Sequence, residues 1–240
     1  MNSSLVLHRS FYSPSLHREK RYCIYLPAGY GEQKAARYST VYLLPGLMDY
    51  ERSWIDKGHV NEQMDRLIRE NRVGKMLIVM PDKDEAALND GLAPAFADYL
   101  GRDLVGHIDV EYRTLPIRSH RGIEGLSLGA AWAMRMAIYY PDTYCSIGCL
   151  SGGFGDETAA LLPLQRERLR RAGTRFRVGA GTGEPEFLQA SQELVQLIRD
   201  LGFYCEFDLA AGPHDWPLWR AQVYNSLQFH YYSFNPIRAA

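Results

Sequence analysis

The chain lacks the features that would assign it to a special class. Of its 240 residues four are cysteine, Cys23, Cys145, Cys149 and Cys205, without the paired spacing of a zinc site. A chain this long buries enough core to stand without disulfide staples, so reduced core thiols are expected. No apolar run reaches the roughly 20 residues needed to cross a bilayer. Charge of one sign is also missing: 27 Lys and Arg stand against 28 Asp and Glu, a formal net charge of −1. No global field therefore favours nucleic acid or an anionic membrane, and neither is expected as a partner. The basic clusters "LHREKR" and "RERLRRAGTRFR" read as solvated surface. The seven histidines show no H-E-x-x-H or similar ligand spacing, so neither a metal nor any other cofactor is expected. Repeats, low-complexity tracts and dividing linkers are absent, which leaves residues 1–240 as one domain. The opening "MNSSLVLHRSFYSPSL" has no basic segment followed by a long apolar run. The expectation is no signal peptide and a cytoplasmic location.

What is present is an alternation. Short apolar runs end at Gly or Pro: "TVYLLPG" (40–46), "KMLIVMPD" (75–82), "HRGIEG" (120–125), "CSIGCLSGG" (145–153), "RFRVGAG" (175–181) and "YCEFDLAAG" (204–212). Each reads as a strand. Helical periodicity lies between them. Val60, Met64, Leu67 and Ile68 share a face, as do Leu100, Leu104 and Ile108, and Phe187, Leu194, Val195, Ile198 and Leu201. Strands alternating with helices imply right-handed crossovers and a mainly parallel sheet covered on both faces. Two strand-like pieces at the N-terminus, with no helix between them, suit an antiparallel hairpin at the sheet edge. The expected fold is a single three-layer α/β domain, with reactive groups at the carboxyl ends of the strands.

Within that frame "IEGLSLGAAWAM" (123–134) places Ser127 between Gly125 and Gly129, after a strand and before a helix. A nucleophile held on a sharp strand-to-helix bend requires this context, because only glycine fits where the backbone doubles back. The alternative is a serine that caps the following helix. A serine hydroxyl needs a base, and the base needs an orienting acid. His214, in "AAGPHDWPLW" after the last strand, has the position of the base. The acid belongs after "RFRVGAG", in "GTGEPEFL". Counting from the strand favours Glu184, and counting back from the helix favours Glu186. Asp156 is a third option, while Asp215, adjacent to His214, diverges from it. Of the two amides needed for an oxyanion, one is expected from Leu128, after the nucleophile. The other is expected from "YLLPGLMDYERSW", where Pro45-Gly46 frees the Leu47 amide, with Met48 as the alternative. Tyr50, Trp54 and Trp216 are loop aromatics expected to border a substrate pocket.

Taken together, "RYCIYLPAGYG", "YSTVYLLPGLMDYERSW", "IEGLSLGAAWAMRMAIYYPDTYCSIGCLSGGF" and "GPHDWPLWR" resemble the esterase D / putative esterase family of α/β-hydrolases across nearly the whole chain. That family includes S-formylglutathione hydrolases, feruloyl esterases, enterochelin esterases and the antigen 85 mycolyltransferases. The resemblance implies Ser127 as nucleophile, His214 as general base and an acid in "GTGEPEF". The chain departs from the family in three places. Pro45-Gly46 stands for the usual His-Gly, Gly129-Ala130 for Gly-Gly, and Glu184 or Glu186 for Asp. The implied activity is hydrolysis of a small-molecule ester or thioester through an acyl-enzyme. A short-chain or aryl carboxylic ester is the expected substrate. Acyl transfer by the same triad, and a non-catalytic binding protein on the same fold, are the alternatives. A homo-oligomer is left open.

Overall fold

The computed structural model describes residues 3–235. Its strands are β1 (Leu5–Ser13), β2 (Arg18–Leu26), β3 (Ser39–Leu44), β4 (Met76–Pro81), β5 (Arg121–Leu126), β6 (Ser146–Leu150), β7 (Arg175–Gly181) and β8 (Cys205–Ala210). They form one sheet in the order β1-β2-β4-β3-β5-β6-β7-β8. β1 and β2 pair antiparallel as a hairpin, and β2 joins β4 antiparallel. The strands from β4 to β8 run parallel. The α/β architecture with an antiparallel N-terminal edge is therefore the one the alternation implied.

β3, β4 and β6 read as nearly continuous apolar runs because both of their faces are buried, while β5 and β7 carry the buried charges Arg121, Glu124 and Arg177 and the edge strand β8 is only partly buried. Side-chain alternation divides them between two cores. Tyr42, Leu44, Leu77, Val79, Ile123, Ile147 and Val178 face one cluster. Val41, Leu43, Met76, Ile78, Met80, Leu126 and Leu150 face the other. The helices are α1 (Ser53–Asp56), α2 (Val60–Arg69), α3 (Ala93–Asp98), α4 (Leu104–Glu111), α5 (Leu128–Tyr139), α6 (Asp156–Leu161), α7 (Arg166–Arg171), α8 (Pro185–Asp200) and α9 (Trp216–Phe234). α3, α4, α5 and α8 cover the first face, and α1, α2 and α9 the second. The helix expected around residues 97–112 starts earlier, at Ala93, with Pro94 in its first turn, and carries a single π turn at Tyr99–Asp103. The Tyr140 ring fills the place where a Cβ on Gly101 would stand, 2.5 Å away, so the bulged turn leaves room for an aromatic rather than for its own side chain.

Register sets where the chemistry can occur. Leu44 lies beside Gly125, Leu126 beside Leu150, Leu150 beside Gly179, and Gly181 beside Ala210. The loops after β3, β5, β6, β7 and β8 thus leave the sheet along a single rim, although up to 167 residues of sequence separate side chains that meet there.

α9 follows the His214 loop and is pinned to the sheet by a buried polar network. Arg177 on β7 donates to Ser226 Oγ at 2.8 Å and pairs with Asp208, and its guanidinium stands 4.0 Å from Glu124 Oε1. Glu124 Oε2 meets His230 Nε2 at 3.2 Å, and His230 Nδ1 meets Ser146 Oγ at 2.8 Å. Ser146, His230 and Glu124 form a second Ser-His-Glu set, but all three are fully buried, so it is structural. Burial opposes the Glu124 charge, yet His230 and Arg177 outweigh that and hold its carboxyl below the usual range. Removing one partner of a buried pair strands the others. Arg177→Ala is therefore expected to cost about 3–5 kcal/mol, read as a lower urea midpoint. A loss under about 1 kcal/mol, the scale of an exposed ion pair, would show that the network contributes little.

Candidate active site

β5 ends at Leu126 and α5 begins at Leu128, which leaves Ser127 alone on the bend with φ 52° and ψ −117°. A positive φ at a non-glycine residue is sparsely populated and persists only where surrounding contacts fix it. Those contacts are backbone. Ser127 N–H donates to Leu150 O at 2.8 Å, and Ser127 O accepts from Ala130 N–H at 3.0 Å. A Cβ on Gly125 would lie 2.2 Å from the Gly129 carbonyl carbon, and one on Gly129 would lie 2.6 Å from Pro45 O. Glycine is thus sterically required on both sides of the serine. The Ser127 side chain makes no capping bond to α5, so a helix cap is not its role here.

Ser127 Oγ instead faces His214, whose Nε2 is 3.0 Å away. The other ring nitrogen, Nδ1, is 2.7 Å from Glu184 Oε2. Gly212 and Pro213 form the turn that delivers the imidazole, and Gly183 N–H bonds Gly212 O at 2.8 Å, joining the β7 and β8 loops. The ring itself is held by aromatics. Phe187 stacks on its face with centroids 3.8 Å apart, and Trp219 meets it edge-on at 4.9 Å.

Glu184 is 4% exposed. Its Oε1 accepts from Ser151 Oγ–H and from Gly181 N–H, each at 2.6 Å. Burial alone would favour the neutral acid. The hydrogen bonds from His214, Ser151 and Gly181 outweigh it and hold the carboxyl below the usual glutamate range. Glu186, the rival acid, is not brought to His214. It is exposed in the first turn of α8, where the helix dipole favours a carboxylate without further contacts. Asp156 is exposed at the start of α6, and the Asp215 carboxylate caps α9 through Leu218 N–H at 3.3 Å.

Leu128 is the first residue of α5, where an amide has no acceptor within the helix. The Pro45–Leu47 loop passes beside the serine: a Cβ on Gly46 would lie 3.6 Å from Ser127 Cβ. The Gly46 carbonyl accepts from Asp49 N–H at 3.2 Å, which turns the Leu47 N–H of the same peptide the opposite way. Lys83 Nζ holds the Leu47 carbonyl, and Asp49 Oδ1 accepts from Lys57 Nζ at 2.8 Å and from Trp216 Nε1 at 3.1 Å.

The aromatics expected to border the pocket separate. Tyr50 is exposed at the rim and Trp216 half-buried. Trp54 is a correction: it is fully buried, donates Nε1–H to Leu44 O at 3.1 Å and packs edge-on against Trp216. It supports the loop from beneath and cannot touch a ligand. Ser151 and Asp49 escaped sequence reasoning, and Phe187 was legible only as part of a helical face. Only Ser151 carried a signal, as the residue that ends the "CLSGG" strand on the reactive rim. Among the described residues, no group of three or more His, Cys, Asp or Glu is arranged to hold a metal ion, and no helix is long and apolar enough to cross a membrane.

Comparison with known proteins places the chain in a family. The family described as "Putative esterase" matches residues 13–230. An endo-1,4-beta-xylanase/feruloyl esterase of Xylanibacter ruminicola is 25% identical over 229 residues, 92% of this chain, and the chain spans 30% of that relative's length. Among solved structures, a ferulic acid esterase superposes with a TM-score of 0.84 at 24% identity, covering 98% of this chain and all of the other. The S-formylglutathione hydrolase of Staphylococcus aureus gives 0.75 at 14% identity, covering 95% and 99%. At these identities the structural likeness speaks for the fold.

Proposed function

The chain belongs to the "Putative esterase" family; we propose that it is a carboxylic ester hydrolase that works through an acyl-enzyme on Ser127, with His214 as base and Glu184 as acid. The observation that carries this reading is the unbroken contact from Ser127 Oγ to His214 Nε2 at 3.0 Å and from Nδ1 to Glu184 at 2.7 Å. An ionised Glu184 only accepts, so it fixes the proton on Nδ1 and leaves Nε2 free to take the serine proton. As that proton moves, Oγ bonds to the ester carbonyl carbon. The Leu47 and Leu128 amides are the donors for the resulting oxyanion, each worth about 3–4 kcal/mol of barrier. The imidazolium then protonates the departing alcohol or thiol, and water repeats the sequence to release the acid.

The substrates we infer are aryl carboxylic esters of the hydroxycinnamoyl type, with thioesters within the same chemistry. Support comes from the feruloyl esterase relative and from the exposed rim residues Leu47, Met48 and Tyr50, which offer apolar surface to an aromatic acyl group. The test is turnover of methyl ferulate, p-nitrophenyl acetate and S-formylglutathione, with products analysed in water and with a competing alcohol. Hydrolysis of an aryl ester to the free acid is expected. An ester product would indicate acyl transfer, and turnover of none of the three would overturn the proposal.

A further inference from the structure

Ser151 follows β6 and is fully buried, in the left-handed region with φ 51°, a conformation that few residues other than Gly, Asn and Asp adopt. Its N–H bonds Gly179 O at 2.8 Å. Its hydroxyl is 2.6 Å from Glu184 Oε1 and 3.0 Å from Trp219 Nε1. The direction of both bonds is fixed, because an indole N–H can only donate and an ionised carboxylate can only accept. Trp219 therefore donates to Ser151, and the single Ser151 proton points at Glu184.

We propose that Ser151 is a positioning residue that pins the Glu184 carboxylate and reserves its second oxygen for His214. The inference rests on the triad reading above. With Ser151 and Gly181 N–H both on Oε1, Oε2 faces the imidazole with no competing donor among the described residues. Donation then converges on Glu184 from both sides, from Trp219 through Ser151 onto Oε1 and from Ser127 through His214 onto Oε2. The indole that orients Ser151 also meets the imidazole edge-on, so the acid and the base share one support. A hydroxyl that served only to end the strand would need neither the strained backbone nor a partner on the acid.

The test is Ser151→Ala, with Ser151→Gly as a second variant that accepts a positive φ without a Cβ. Both are expected to lower kcat on an aryl ester about 10–50-fold while KM stays within twofold. The acid-side fall of kcat/KM is expected to move to higher pH, because the Ser151 hydrogen bond is one of those that hold the Glu184 carboxyl below the usual range. In a Glu184→Ala background, Ser151→Ala is expected to add less than a twofold loss, since a residue acting through Glu184 has nothing left to position. Wild-type kcat and pH profile in both variants, or an undiminished loss in the Glu184→Ala background, would overturn the inference. A Ser127→Ala variant that still turns over ester would remove the reading beneath it. An inert Ser127→Ala beside an unaffected Ser151→Gly would remove this inference alone.

Discussion

Ser127→Ala is expected to lower kcat for an aryl ester by about 10⁶-fold, leaving only what oriented binding and the amide donors contribute. The substitution deletes one half-buried hydroxyl whose contact is His214 Nε2. The bend that holds it is built from backbone bonds to Leu150 and Ala130 and from the close approach of Gly125 to Gly129. Folding should therefore be untouched, and an unchanged thermal melt separates lost chemistry from lost structure. A variant that retained even a hundredth of the activity would place the nucleophile elsewhere. The buried Ser146–His230–Glu124 set offers no substitute, because no ester can reach it.

Glu184→Gln should cost about 10⁴-fold in kcat, whereas Glu186→Gln should stay within twofold. The first figure follows from hydrogen-bond direction. Ser151 Oγ–H and Gly181 N–H both point at the Oε1 position, so the amide oxygen of a glutamine must sit there. Its NH2 group is then forced towards His214 Nδ1, a donor where an acceptor is needed. The imidazole answers by carrying its proton on Nε2, facing Ser127, and can no longer act as a base. pH should not mimic this substitution within the working range. The wild-type carboxyl is held below the usual glutamate range, so it stays ionised as pH falls past about 4.5. Its stabilising contribution is present above that pH and drains only as pH falls through the lowered value. Steady-state kinetics on the two variants check both figures. Equal losses, or a larger loss at Glu186, would reverse the assignment.

The different legibility of these two acids in the sequence has a physical reason. Strand β7 reads from "RFRVGAG" because Phe176, Val178 and Ala180 alternate as buried apolar residues and the run stops at Gly181, with Arg177 as its one buried charge. The elbow reads because backbone crowding at Gly125 and Gly129 is a local requirement. Glu184 and Glu186 stand two residues apart, and nothing local distinguishes them. The geometry that separates them comes from Ser151 after β6 and His214 after β8, which approach only through sheet register. Helix α8 opens at Pro185, not at the first apolar residue Phe187, since proline suits the first turn. Glu184 is thereby left just outside the helix, free to fold back onto Gly181. Trp54 failed as a pocket residue for the same kind of reason: its burial depends on Trp216 and α9, more than 150 residues away. Ser151 and Trp219 belong to that class too, since their roles exist only once β6, β7 and α9 have packed together.

The most direct measurement is rapid acid quench of the protein during turnover of an aryl ester, followed by mass mapping of peptides. One acyl group per chain, on the peptide containing Ser127 and absent from a His214→Ala variant, is the expected result. An acyl group on another residue, or turnover with no acylated intermediate under conditions where the burst of alcohol release equals the enzyme concentration, would contradict it.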